Sequence, residues 1–513
     1  MLLIFSPIAK ACEPPAGIAR LAAALHACNI PCRLLDANLE AQLWMMQQQP
    51  ESVDTWTRRA VKNFSANLAA VRDIRTYRSI DRYARAVRDL NRLLSASRKP
   101  GGASIGVADY QETCLSPVRS QDLIFAAEHP EQNSFYPWFS TRLAGLIECV
   151  NPASDEVERE QTVGFSLNYL SQALTTFAMV GFIRKNNPEI RIILGGGLVT
   201  SWMRRPNWSN PFGALVDEMI AGAGELPLLN LSGVEVDQLH PVLPDYSTLP
   251  LDDYLSPGLV LPYSTAGGCW WNRCSFCPER AEGNLYSPLP IKQVVSDLHN
   301  LAALYKPSLI HILDNAITPA MLQALVADPP CVPWYGFARF TPELADPDFC
   351  KALKRSGCVM LKLGLESGDQ EVLDRLQKGI RLETASQVLQ NLKSAGIGVY
   401  LYLLFGTPAE TRFEALKTLE FVVNLSEAID FLNLAIFNMP LSSDEAGELG
   451  TEKFYDGDLS LYTGFRHPQG WGRKQVRSFI NNEFKRHPAV AEILRRDPPF
   501  FTSNHAPLTM LPV

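Results

Sequence analysis

The stretch Gly268-Cys-Trp-Trp-Asn-Arg-Cys-Ser-Phe-Cys-Pro278 places three thiols, Cys269, Cys274 and Cys277, on one short loop. Three thiolates together can hold an iron–sulfur cluster and leave one iron open to a further ligand. Soft thiolates also suit zinc, so a structural zinc site completed from elsewhere is the competing assignment. A closed zinc site usually pairs its ligands two and two, and no cysteine follows Cys358 to supply a second pair. The eleven cysteines are scattered and odd in number, with no secretory leader, which points to a reduced, cytoplasmic chain rather than a disulfide framework.

From Tyr263 onward, apolar segments at Leu309–Leu313, Trp334–Ala338, Val359–Leu363, Val399–Leu404 and Phe431–Ala435 alternate with helical stretches. This alternation indicates repeated βα units on a parallel sheet, and six such units make most of a barrel. Functional groups should then lie at the carboxyl ends of the strands. Arg339, Leu363-Gly-Leu-Glu-Ser-Gly368 and Phe405-Gly-Thr-Pro-Ala-Glu-Thr411 fall at such ends.

Together these residues resemble the radical S-adenosylmethionine superfamily over about residues 260 to 435. The usual loop of that family has three residues between its first two cysteines; this chain has four, a spacing similar to that of relatives carrying a cobalamin-binding domain. The resemblance implies a [4Fe-4S] cluster on Cys269, Cys274 and Cys277 whose open iron chelates S-adenosylmethionine (SAM). It implies that Phe276 approaches the adenine and that Glu366, flanked by Gly364 and Ser367, accepts the ribose hydroxyls. Arg339 matches the position that pairs with the methionine carboxylate. Gly406 and Pro408 match the turn after strand five, where Ala409 replaces a second glycine. Tyr402 faces the reacting region by the same resemblance, with a core or wall tyrosine as the alternative.

The amino-terminal half reads as a doubly wound, Rossmann-like domain. Its strands are expected at Met1–Ser6, Pro31–Leu35, Thr162–Leu167 and Arg191–Leu194, with helices at Gly17–Cys28 and Ser171 to about Lys185. Pro14–Gly17, Phe165–Gln172, Gly195-Gly-Gly197 and Gly222-Ala-Gly-Glu225 resemble, as a set, the cobalamin-binding domain that precedes many radical enzymes. On that resemblance Ser166, Asn168 and Gln172 offer hydrogen bonds to the cofactor, while Gly195, Gly196, Gly197, Gly222 and Gly224, with Glu225, admit its flat macrocycle. No Asp-x-His-x-x-Gly motif is present, so cobalamin is expected without a histidine ligand. A domain that has lost its cofactor is the alternative. A long insertion, about residues 38 to 160, carries Ile80, Tyr83, Val87, Leu90 and Leu94 at helical spacing. Its run of arginines from Arg72 to Arg92, interspersed with Asp73, Asp81 and Asp89, reads as a solvated face rather than a phosphate grip.

The expected organisation is therefore α/β: a Rossmann-like cobalamin-binding domain over 1–239, a proline-rich linker over 240–262, a partial (β/α)6 TIM-type radical SAM barrel over 263–437, and a C-terminal extension over 438–513 that caps substrate or simply packs. A net charge of −7 argues against broad nucleic-acid binding, and no apolar run reaches membrane-spanning length. The resemblance implies a small-molecule or peptide substrate and an external electron donor such as flavodoxin or ferredoxin. It also implies methylation of an unactivated carbon: a 5′-deoxyadenosyl radical abstracts hydrogen, methylcobalamin gives its methyl group, and a second SAM restores it. Cyclisation or rearrangement, a radical enzyme of peptide or RNA without functional cobalamin, and a cobalamin carrier or sensor without turnover are the alternatives.

Overall fold

The computed structural model describes residues 1–48, 50, 54–97, 102–150, 157–159, 162–234, 242–453, 456–500 and 505–510. They fall into two compact units: Met1–Ser256 with Tyr455–Leu461 and Pro499–Phe501, and Pro257–Phe454 with Tyr462–Pro498 and Thr502–Val513.

The first unit is built on strands β1 (Leu2–Phe5), β2 (Arg33–Asp36), β3 (Thr162–Ser166), β4 (Arg191–Gly195) and β5 (Glu218–Met219), in the order β2-β1-β3-β4-β5. Every pairing is parallel. All four residues of β1 are buried, as a parallel strand covered on both faces requires. Gly164 of β3 fits because a Cβ there would lie 2.7 Å from Leu3 Cδ2. The strand order reverses between β1 and β3, so a crevice opens at their carboxyl ends.

Helix α1 (Ala16–Ala27) covers one face of this sheet with Ile18, Ala19, Ala22, Ala23 and Leu25. The insertion folds as helices, among them α2 (Ile80–Ala96), whose Tyr83, Val87, Leu90 and Leu94 are buried while Arg82, Arg85 and Arg88 are exposed. Asp89 departs from the expected solvated face. It is buried and accepts from Arg59 Nη2 and Trp56 Nε1, each at 2.8 Å. The helix α3 (Ser120–Glu128) packs on α4 (Leu170–Asn186).

The proline-rich stretch differs from the extended linker that its composition suggested. Asp245 N donates to Ala19 O, Leu255 N to Ala11 O at 2.7 Å, and Tyr254 OH to the buried Asp36 carboxylate at 2.7 Å, so the stretch packs on the first unit as far as Ser256. Val260–Pro262 is already strand. His240 and Pro241 lie outside the described residues.

The second unit holds β6 (Val260–Tyr263), β7 (Leu309–Ile312), β8 (Trp334–Ala338), β9 (Cys358–Glu366), β10 (Gly398–Phe405) and β11 (Phe431–Ile436), parallel and in sequence order: a partial (β/α)6 barrel. Val260, Leu309, Tyr335, Met360, Tyr400 and Phe431, at or near the strands' amino ends, form one core layer. Ala506–Thr509 packs into that layer, with the His505 ring stacked 4.1 Å from Tyr400. This part of the C-terminal extension therefore packs at the amino ends of the barrel strands. Thr502–Asn504 lie outside the described residues.

Gly181, inside α4, lets α3 approach so closely that a Cβ there would lie 1.8 Å from Ala127 O. Alanine normally favours a helix over glycine by about 1 kcal/mol. Here the contact reverses the sign, and Gly181→Ala should destabilise the protein by about 1–3 kcal/mol in urea denaturation. An unchanged or raised stability would contradict this packing.

Candidate cofactor sites

At the carboxyl end of β6 the chain turns into the cysteine loop, and Asp314, just beyond β7, fixes the start of that turn. Its carboxylate accepts from Thr265 N at 2.7 Å, from Ala266 N at 3.3 Å and from the Thr265 hydroxyl. Burial raises the Asp314 pKa above the usual carboxylate range, and these hydrogen bonds pull it back. Gly268 follows in a left-handed conformation, φ 69°, where a Cβ would lie 2.5 Å from Leu285 O.

The loop is seated on the turn Leu376–Gly379. Ser275 N donates to Leu376 O at 3.1 Å and Trp271 Nε1 to Gln377 O at 3.1 Å. Arg280 Nη1 joins Arg273 O to the Gln377 side chain. Gly379, φ 65°, lies under the Trp271 indole, and any Cβ there would lie 2.1 Å from Trp271 Cζ2. Cys274 is buried, and Cys269 and Cys277 are half-buried. Burial, reinforced by Cys274 and Cys269, pushes the Cys277 thiol up to about 11, and a bound metal would favour its thiolate.

The same loop contains two buried polar atoms with no hydrogen-bond partner, Trp270 Nε1 and Ser275 Oγ. Three neighbouring thiols with spare N–H and O–H donors fit an iron–sulfur cluster, whose sulfides accept such bonds. Among the described residues no three His, Cys, Asp or Glu side chains gather around a single-ion site. A cluster places its thiolates on different irons and does not need that convergence.

The strand ends supply the surroundings. β9 carries a register shift between Gly364 and Glu366, and Glu366 sits at φ 72°, a bulge that re-aims its carboxylate. Lys378 Nζ meets Glu366 Oε1 at 2.8 Å, both side chains being nearly buried, and lies 5.5 Å from the Phe276 ring centroid. A Cβ at Gly364 would lie 2.5 Å from Glu366 Oε1. Arg339, after β8, is buried; its Nη2 donates to Lys378 O and its Nη1 lies 4.0 Å from Cys274 Sγ.

Ser367 points elsewhere: it is fully buried, with Oγ 3.4 Å from Thr418 Oγ1 and accepting from Asp369 N. Tyr402 lies among aromatic rings, 5.0 Å from Phe337 and 4.7 Å from Tyr400, and burial raises its pKa. The turn after β10 is braced by the C-terminal extension. Gly406, φ 79°, donates to Glu410 Oε2, which also accepts from Trp471 Nε1, and His467 Nε2 meets Thr407 O at 3.0 Å. Pro408, in the same turn, is half-buried.

In the first unit a cavity of ≈ 300 Å³ opens at the carboxyl ends of β3 and β4. Ser166, Asn168, Gly195, Gly196, Gly197, Gly222, Gly224 and Glu225 line it, with Gly17 and Arg20 of α1. Asn168 shapes the loop: Nδ2 donates to Ser166 Oγ at 3.0 Å and Oδ1 accepts from Gly197 N at 2.8 Å. Gly196 takes a φ of 109°, and a Cβ there would also lie 2.5 Å from Leu167 O. Glu225 is salt-bridged to Arg20. Gln172 is not in the lining. It is fully buried, its Oε1 accepting from Asn168 N and Tyr169 N and its Nε2 donating to Ser6 O, so it offers nothing to a ligand and serves to lock the loop.

Residues 263–422 match the sequence pattern described as the Radical SAM superfamily. The barrel segment thus carries the radical SAM pattern. An uncharacterized methyltransferase of Pyrococcus horikoshii is 27% identical over 312 residues, 51% of this chain and 65% of that protein. An anaerobic magnesium-protoporphyrin IX monomethyl ester cyclase of Rubrivivax gelatinosus is 23% identical over 365 residues, 60% of this chain and 64% of the cyclase. The matched region is thus under two thirds of the length of either curated relative. Among solved structures, the radical SAM methyltransferase TsrM of Kitasatospora setae, with cobalamin and a [4Fe-4S] cluster bound, superposes with a TM-score of 0.53 at 14% identity, covering 97% of this chain and 91% of TsrM. That likeness is one of fold: a Rossmann-like unit followed by a radical SAM barrel.

Lys378, Asp314 and Gly379 were not singled out from the sequence. They come from loops without periodicity, and only the Lys378-Gly379 pair after a short helix hinted at a special turn.

Glu410 titrates abnormally: burial raises its carboxyl from 4.5 to about 7, against the pull of Gly406 N and Trp471 Nε1. An acid whose folded pKa is raised contributes stability that is complete below about 4.5 and lost as pH rises through about 7. Wild-type protein should therefore lose on the order of 3 kcal/mol between pH 5 and 8 relative to Glu410→Gln. Urea denaturation at the two pH values measures this, and parallel losses in both proteins would refute it.

Proposed function

We propose that the chain is a cobalamin-dependent radical SAM enzyme that methylates an unactivated carbon of a small-molecule or peptide substrate, using an external electron donor such as flavodoxin or ferredoxin. The observation that carries this reading is the glycine-lined cavity in its own parallel-sheet unit, set in the chain before the barrel that bears the three-cysteine loop. A barrel alone would support only the coarser assignment. The methyltransferase name of one relative and the fold shared with TsrM support the finer one.

Bound together, the cluster and SAM supply a hydrogen-abstracting radical and cobalamin supplies a transferable methyl group. The residues of the chain hold and shield these groups. Cys269, Cys274 and Cys277 would ligate the cluster, with Trp270 Nε1 and Ser275 Oγ available to its sulfides. Glu366 would accept the ribose hydroxyls of SAM from a carboxylate held by Lys378, over the bare backbone of Gly364. Phe276 and the Gly406–Pro408 turn would flank the adenine and methionine portions. In the first unit, Ser166 and Asn168 present polar atoms beside Gly195–Gly197 and Gly222, where backbone can meet a flat ring closely. A cavity of ≈ 300 Å³ takes one end of so large a cofactor, and no histidine is among the described residues that line it.

The cyclase relative favours a second reading, in which the same radical start leads to ring closure. With SAM labelled in its methyl group, methylation predicts label in the product together with 5′-deoxyadenosine. Substrate consumption with unlabelled product would select cyclisation or rearrangement.

Gly17 gives a test of the cobalamin site. It lies in α1 at the cavity wall without a left-handed φ, and a Cβ there would meet Ser166 Oγ at 3.8 Å, an ordinary contact. Gly17→Leu should thus fold, fill the cavity and lower cobalt retention by about tenfold or more, at the cost of roughly 1.4 kcal/mol or more in binding. Iron content should stay at the wild-type level. Undiminished cobalt would place cobalamin elsewhere.

A further inference from the structure

We propose that Arg339 tunes the electron affinity of the iron–sulfur cluster by donating to the sulfur of Cys274. This rests on the cluster assignment above, and it differs from the carboxylate pairing that sequence resemblance implied for Arg339. The guanidinium is committed to the cysteine loop and its bed. Nη2 donates to Lys378 O, Nη1 lies 4.0 Å from Cys274 Sγ, and the face of the group lies 4.3 Å from the Trp271 ring centroid, with Trp270 at 5.8 Å. Only about 7% of the residue is exposed.

Arginine stays protonated in proteins, so this is a fixed cation beside a cluster ligand. The cluster with its thiolates is anionic and becomes more so when it accepts an electron. A buried cation and an N–H donated to sulfur both favour the reduced form and raise the potential. Low local polarity strengthens both effects, since water does not screen them. The indoles keep the guanidinium in place without competing for its donors.

The test is an anaerobic, EPR-monitored redox titration without SAM, with dithionite giving one electron per cluster, on wild-type protein, Arg339→Gln and Arg339→Lys. Iron per chain is measured in each. At the wild-type midpoint the reduced-to-oxidised ratio should fall by about tenfold in Arg339→Gln, equivalent to a downward shift of about 59 mV for a one-electron couple. Arg339→Lys keeps the charge but cannot span both Lys378 O and Cys274 Sγ, so it should fall less. A ratio within about twofold of wild type in both iron-loaded variants would overturn the proposal, even if SAM bound more weakly to them. Loss of iron from Arg339→Lys as well as Arg339→Gln would also overturn it, because a tuning residue is dispensable for assembly. Wild-type protein that assembles no cluster would instead refute the functional reading beneath.

Discussion

The seating of the cysteine loop on the Leu376–Gly379 turn is the contact on which the chemistry of the barrel depends. The loop is too short to carry a helix or a strand of its own, so its path is set by what it rests on. Here the path is defined from below: the Trp271 indole lies over a glycine that has no Cβ to displace it, and Ser275 N and Trp271 Nε1 take two successive backbone carbonyls. Between those carbonyls and Gly379 stands Lys378, whose carbonyl holds Arg339 and whose ammonium holds Glu366. Removing one partner of a buried ion pair typically costs about 3–5 kcal/mol. The strand bulge at Glu366, the turn and the loop are therefore interdependent, and a change at any of them is felt at the cysteines.

Both units use one physical device at the carboxyl ends of parallel strands. Backbone is brought up without side chains, and a polar side chain from the adjoining loop fixes its shape. In the first unit Gly196 and Gly197 play the first part and Asn168 the second, with Gln172 behind it. In the second, Gly406 turns the chain at a positive φ and Glu410 holds it from a buried position. The two halves of the C-terminal extension then have distinct tasks. His467 and Trp471 brace the turn after β10, while Ala506–Thr509 closes the amino end of the barrel.

Much of the fold was legible because its strands are continuous apolar runs between helical periods, a pattern that tolerates few readings. The six barrel strands follow that pattern, apart from β6, hidden in a proline-rich stretch that composition alone marks as linker. The thiol loop and the glycine runs were legible because those residue types are demanded by chemistry or by backbone conformation. Gln172 and Ser367 differ from their expected places for a common reason: a polar residue inside a motif faces either the ligand or the loop that presents it, and sequence does not distinguish the two. Arg339 and Lys378 depended on a contact between segments nearly forty residues apart, which no local pattern encodes.

The central claim is that one chain houses an iron–sulfur cluster and cobalamin in separate units. Metal analysis of protein purified without oxygen from cells supplied with cobalamin tests it most directly. The account predicts about four irons and about one cobalt per chain, with no zinc. Zinc at the cysteines, or iron without cobalt, would contradict it.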